Sequence, residues 1–290
     1  MEHPWDGEIA NRTRTRIEEG SIRSLLLDVK FGEQSLGTAT GFVVMANDKP
    51  FLITNRHVVT GRHQDTGLPI HTKGGIPDRL TIQHNRRRRL GRWIATTERL
   101  FSGDIPRWRE HPTLGAKADF VALPLVNTVG VGFHPYDPSN PGPAISLSVT
   151  QAVSVVGFPF GFTVGGSMAI WATGFVASEP QVDYDGRPVM LIDCRTRKGQ
   201  SGSPVVALRE GFVAMEDGQN AMVSGKSERF VGVYSGRLNS DSDLGVVWKA
   251  SAIAELIATL GSAIPAGSTR SKGQALVTAA FGESSHSISR

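Results

Sequence analysis

The chain has 290 residues, 39% of them hydrophobic, with a formal net charge of +4 and one cysteine. That length and apolar content support one large domain or two modest ones around a packed core, and a lone cysteine excludes an internal disulfide framework. No stretch reads as a membrane span, and the mild positive charge permits anionic partners without requiring them.

Residues 1–19 are polar and read as an N-terminal arm. Met1-Glu2-His3-Pro4-Trp5-Asp6 carries no apolar stretch behind a basic start, so neither a signal peptide nor a membrane association is expected. A cytoplasmic protein is the simplest expectation. Ser21 to Phe31, with Leu25-Leu26-Leu27, predicts a first strand. Gly41-Phe42-Val43-Val44-Met45 predicts a second, and Asn47-Asp48-Lys49-Pro50 is a turn signal. Phe51-Leu52-Ile53-Thr54 follows as a strand that ends in Asn55-Arg56-His57.

From Thr60 to Pro77 the chain is polar and reads as a surface loop. Leu80-Thr81-Ile82 is a strand whose turn contains Arg86-Arg87-Arg88-Arg89. Four consecutive arginines invite a nucleic-acid reading. Without aromatic interleaving or a recognisable binding module, they read as a solvated hairpin tip. Asp119 heads the apolar run Phe120-Val121-Ala122-Leu123. Val126 to Leu147 is rich in Pro, Gly, Asn and Asp, which disfavours helix and central strand and suits a crossover between halves.

Val153 to Pro159, Ala169 to Ala172, Val189 to Ile192, Val205 to Leu208, Phe230 to Gly236 and Gly245 to Trp248 supply further short strands. This pattern indicates a mostly β protein, sandwich or barrel. Cys194 has no partner and reads as a small buried apolar residue. Ala250 to Leu260 spaces apolar residues at helical intervals before Gly261. Residues 262–290 are Gly-, Ser- and Ala-rich and read as a flexible tail, with Gln274 to Phe281 as a docking segment.

Lys198-Gly199-Gln200-Ser201-Gly202-Ser203-Pro204 carries the chemistry. Its glycines allow a tight turn that leaves the Ser201 hydroxyl clear beside bare backbone N–H groups. Serine is a weak nucleophile and needs a base. His57, at the end of a hairpin strand, can supply one, and Asp119 can orient the imidazole. The chain order is His, Asp, Ser. The order Ser-Asp-His is excluded because the one histidine after Ser201 is His286. Scattered histidines, with no H-E-x-x-H and no cysteine pair, give no reason to expect a metal, and no cofactor is implied.

On five segments, the chain resembles the trypsin-like, chymotrypsin-fold serine proteases of the disulfide-free bacterial kind, including the catalytic domains of HtrA-type and glutamyl endopeptidases. The segments are Gly37 to Phe42, Thr54 to Val59, Ala118 to Leu123, Val153 to Pro159 and Gly199 to Pro204, in the expected order within residues 20–262. The resemblance implies an all-β fold of two six-stranded antiparallel Greek-key barrels, at 20–126 and 151–249, joined by a linker at 127–150 and closed by a helix at 250–261. It implies a serine endopeptidase with a His57, Asp119, Ser201 triad, an oxyanion hole at the N–H groups of Gly199 and Ser201, and a protein or peptide substrate.

By family spacing, Arg195 lies at the base of the specificity pocket and Thr196 on its wall. Tyr234, Ser235 and Arg237 lie on the strand that pairs with substrate. Arginine at 195 or 237 would favour an acidic side chain. Gln200 stands where zymogen-activated relatives carry an aspartate, so activation by a newly cut N-terminal amine is not expected. Regulation by a partner protein or the flanking segments then becomes the expected route. No room remains for a PDZ module. The competing functions are a binding or scaffold protein on a decayed protease fold, and a nucleic-acid-associated protein using Arg86 to Arg89.

Overall fold

The computed structural model describes residues 17–71, 74–239 and 241–260. Most of the expected arm, and the expected tail with its 274–281 segment, lie outside the described residues. A short helix, α1 (Gly20–Arg23), leads into β1 (Ser24–Phe31), β2 (Gln34–Ala46) and β3 (Lys49–Thr54). The helix α2 (Arg56–Thr60) follows, then β4 (Arg79–Arg86), β5 (Arg89–Arg99), β6 (Phe101–Ser102), β7 (Ile105–Pro106), β8 (Val121–Pro124) and β9 (Val131–Gly132). The second half holds β10 (Ala152–Gly157), β11 (Ile170–Val176), β12 (Val189–Asp193), β13 (Pro204–Ala214), β14 (Asn220–Arg237), β15 (Leu244–Lys249) and the helix α3 (Ala250–Leu260).

The first sheet runs β5-β4-β1-β2-β3-β8, with the two-residue β9 added on β4 as a seventh strand. It curls toward closure through the β6–β7 hairpin. Arg107 N–H donates to Leu100 O at 2.8 Å, and Arg109 bridges Ala122 on β8. The second sheet is a closed six-stranded barrel, β10-β11-β12-β15-β14-β13. All strand pairings within the two are antiparallel. The fold is therefore the all-β double barrel with a C-terminal helix.

Why the apolar runs are continuous rather than alternating is visible in the packing. Successive side chains of a strand point to opposite faces. On β2, Ala39 and Val43 enter the core of the first barrel, while Phe42 and Val44 enter the core between the barrels. Leu52 and Ile53 on β3 divide in the same way, as do Val121 and Ala122 on β8. On β10, Val155 fills the second barrel and Val156 faces the first. Strands with both faces covered read as unbroken hydrophobic runs, and the candidate functional residues follow or head such strands.

The shared core is completed by Phe230, Val233 and Trp248 from the second barrel and by Ala252, Ile253 and Leu256 from α3. Phe42 packs edge-on against Tyr136 and Phe230 at centroid distances of 5.4 and 5.3 Å. The Asn47-Asp48 turn places both central residues at positive φ, 46° and 59°. That is the primed geometry whose twist matches a two-residue hairpin. The arginine run is the exposed tip of the β4–β5 hairpin, with Arg88 at φ 58°. Among the described residues, no helix is long and apolar enough to cross a membrane.

Candidate active site

His57 sits on α2, directly after β3. Asn55 precedes the helix in extended conformation and makes no side-chain cap. Its amide instead donates to the Asp119 carbonyl at 2.7 Å. Gly61 ends the helix at φ 64°, donating its N–H to His57 O at 2.9 Å. This local framework fixes the direction of the imidazole without relying on helix length.

Asp119 is buried and its carboxylate is gripped from two sides. His57 backbone N–H donates to Oδ1 at 2.9 Å, and His57 Nδ1 lies 2.7 Å from Oδ2. Ser235 Oγ, at a bulge between β14 and β15, donates to the same Oδ2 at 2.5 Å. An ionised carboxylate only accepts, so Nδ1 carries the proton and Nε2 is left as an acceptor. Burial lowers the imidazole pKa. The charge and hydrogen bond of Asp119 more than offset this, and the net value is raised above the usual 6.5.

Ser201 lies in the turn between β12 and β13, partly exposed. Gly202 N–H donates to Tyr234 O at 2.9 Å, and Tyr234 N–H donates to Ser203 O at 2.8 Å. The serine turn is thereby stitched to the residue next to Ser235, which itself holds Asp119. Among the described residues, no hydrogen bond joins Ser201 Oγ to His57 Nε2. Catalytic hydrogen bonds are often long in an unliganded site and tighten on substrate binding.

Gly199 has φ 94°, and a Cβ there would lie 2.3 Å from Phe158 O. A Cβ on Gly202 would lie 2.1 Å from Thr40 O. Both glycines are demanded by close backbone approach as well as by positive φ. The N–H groups of Gly199 and Ser201 have no protein acceptor among the described residues.

Gln200 is buried, and its Oε1 accepts from Arg197 N–H at 2.7 Å, so the turn braces itself. The residues expected to bind substrate divide into two groups. Thr196 and Tyr234 are buried, with their hydroxyls bonded to each other. Arg195 and Arg237 are exposed. Burial pushes the Tyr234 hydroxyl pKa up to about 12, so it stays a neutral phenol. Cys194 is buried, and desolvation pushes its thiol up to about 11.

Two features escaped the sequence reading. Ser235 touches the carboxylate of Asp119, which only the meeting of β14 with the first barrel reveals. Thr40, on β2, donates through Oγ1 to Gly199 O at 2.8 Å and through its N–H to Ser201 O at 2.9 Å. Its place in Gly37-Thr38-Ala39-Thr40-Gly41 marked a shared segment but did not indicate what the hydroxyl touches.

Two β-barrels, a His57–Asp119 pair with a buried carboxylate and a Gly-Gln-Ser-Gly turn define a trypsin-like serine endopeptidase. The model of the trypsin-like peptidase domain matches residues 39–215, more than half of the chain, and the chain belongs to that family. No curated protein matches the chain. Among solved structures, the active form of the Rv3671c protease from M. tuberculosis is similar at 18% identity, over 86% of this chain and 85% of that one, with a TM-score of 0.46. A serine endoprotease from Yersinia pestis is similar at 10% identity, over 83% and 65% of the two chains, with a TM-score of 0.47. The thermostable serine protease AL20, from an extremophilic microorganism, is similar at 10% identity over 83% and 98%, with a TM-score of 0.46.

Proposed function

We propose that the protein cleaves peptide bonds of protein substrates through an acyl-enzyme, with Ser201 as nucleophile, His57 as base and Asp119 as its orienting partner. The observation that carries this is the grip on the Asp119 carboxylate by His57 N–H, His57 Nδ1 and Ser235 Oγ. It leaves Nε2 as the free acceptor of the imidazole, the arrangement a general base requires.

In the first step Ser201 Oγ attacks the scissile carbonyl carbon while His57 Nε2 takes the hydroxyl proton. The carbonyl oxygen becomes an oxyanion facing the N–H groups of Gly199 and Ser201. Removing one such donor costs about 10²–10³ in turnover in comparable sites. The imidazolium then protonates the leaving amine as the C–N bond breaks. Water, deprotonated by His57, releases the acyl group and regenerates Ser201. Catalysis is organised in residues 20–261, with barrels at 20–126 and 151–249.

The substrate strand aligns along Tyr234, Ser235 and Arg237, with Thr196 on the pocket wall. The exposed guanidiniums of Arg195 and Arg237 favour an acidic side chain in the substrate. A peptide library cut equally well after Leu or Phe as after Glu or Asp would overturn that preference. The lone, unbridged Cys194 suits a cytoplasmic setting.

A fluorophosphonate probe tests the mechanism. Labelling is expected in the wild type, absent in Ser201→Ala and strongly reduced in His57→Ala. The alternative reading is a protease fold that binds without cutting. Wild type that resists the probe would establish that reading instead. Comparing proteome-wide cleavage by wild type and Ser201→Ala identifies the substrates.

A further inference from the structure

We infer that Thr40, a residue of the first barrel, positions the oxyanion hole of the second, so that the hole is assembled by the contact between barrels. The inference rests on the reading of Ser201 as nucleophile. Thr40 is fully buried. Its hydroxyl donates to Gly199 O at 2.8 Å and accepts from Phe158 N–H at 3.2 Å. Its own N–H donates to Ser201 O at 2.9 Å, and Thr54 Oγ1 donates to its carbonyl at 2.8 Å.

The consequence follows from the planarity of the peptide. In a trans peptide the C=O and the next N–H point in opposite directions. Lys198 O accepts from Phe160 N–H at 2.6 Å, so Gly199 N–H is turned to the other side. Gln200 O accepts from Ser203 N–H at 3.0 Å, which turns Ser201 N–H likewise. The peptide between these two, Gly199–Gln200, has its carbonyl held by the Thr40 hydroxyl.

Gly199 is a glycine at φ 94°, so its backbone has freedom to rotate that other residues lack. Of these three carbonyl contacts, the Thr40 hydroxyl is the one made by a side chain, and it comes from the opposite barrel. The space around it is tight. A Cβ on Gly157 would lie 2.8 Å from Thr40 Oγ1. Removing the hydroxyl leaves Gly199 O and Phe158 N–H buried and unpaired, and the turn gains a reason to rotate. Thr40 touches no substrate in this scheme; it is a positioning residue.

The test uses the full chain and the kinetics of fluorophosphonate acylation, which separate the affinity for the probe (KI) from the rate of serine attack (kinact). Thr40→Val keeps the shape and removes the donor, and Thr40→Ser keeps the donor. Ser24→Ala is the control. It removes another buried bond between the barrels, Ser24 Oγ to Val156 O at 2.7 Å, away from the serine turn.

Thr40→Val is expected to lower kinact by about ten- to a hundredfold, a fraction of the loss of a whole oxyanion donor, with KI within about twofold. Thr40→Ser should recover most of the rate. Ser24→Ala should lower Tm but leave kinact unchanged. If Thr40→Val does not fold, Thr40→Cys replaces it, since a thiol is a weak donor of similar size.

Unchanged kinact in Thr40→Val, no recovery in Thr40→Ser, or an equal loss in Ser24→Ala would each overturn the inference while leaving Ser201 as nucleophile. Wild type that the probe does not label at all would overturn the nucleophile reading and this inference with it.

Discussion

Replacing Asp119 with asparagine tests the electrostatics of the pair most directly. The carboxylate accepts from three donors, His57 N–H, His57 Nδ1–H and Ser235 Oγ–H. Asparagine offers one accepting oxygen and one donating NH₂ in the same space. With the oxygen on the His57 backbone N–H, the NH₂ meets Nδ1. The imidazole then carries its proton on Nε2 and cannot act as base. The loss expected is about 10⁴ in kcat, as in comparable triads, which is about 5 kcal/mol added to the activation barrier.

The pH profile gives an independent readout. In the wild type, burial lowers the His57 pKa and Asp119 raises it to a net value above 6.5. Activity needs the neutral ring, so the acid limb of kcat/KM should fall above pH 6.5. In Asp119→Asn only burial remains, and the residual activity should have its acid limb below 6.5. Stability follows the same linkage. A folded pKa raised above its unfolded value adds stability that is whole below the unfolded value and is lost as pH rises through the folded one. The Tm difference between wild type and variant should therefore be larger at pH 5 than at pH 8. An acid limb that stays in place in Asp119→Asn would refute the assignment of Asp119 as the group that sets the imidazole.

Three further outcomes are expected. Gly199→Ala should abolish probe labelling, because φ 94° disfavours a side chain and its Cβ would lie 2.3 Å from Phe158 O; full labelling would contradict the described turn. Glu98 is fully buried and accepts from Val126 N–H at 2.8 Å, Asn127 N–H at 2.7 Å and the Arg107 guanidinium at 3.2 Å. Glu98→Ala should cost about 3–5 kcal/mol by stranding those donors, read by urea denaturation. Cys194, buried and with its thiol pushed up to about 11, should resist iodoacetamide in the native protein at pH 8 and react after unfolding.

Much of the candidate site was legible in the chain because the strands beside it are covered on both faces. Phe51 to Ile53 and Phe120 to Leu123 are unbroken apolar runs for the reason that one face fills a barrel and the other fills the space between barrels. Such runs stand out locally, and the polar residues that follow or head them, His57 and Asp119, stand out with them. The Asn47-Asp48 hairpin and the glycines at 199 and 202 were legible for a related reason. Positive φ and close backbone approach restrict the residue type at a single position.

Contacts between elements far apart in sequence left no such mark. Ser235 is 116 positions from Asp119, and Thr40 is 159 from Gly199. A serine or threonine in an apolar strand looks the same whether its hydroxyl faces a neighbouring carbonyl or a carboxylate. Arg195 and Arg237 were placed by spacing alone, and their exposure could be read only from coordinates. Backbone conformation answers to neighbours along the chain and to the pattern of apolar residues, so the sequence by itself determined the strands, the turns and the order of the chemical groups. Which hydroxyl holds which carboxylate or carbonyl depends on how two barrels meet, and only the tertiary structure decided it.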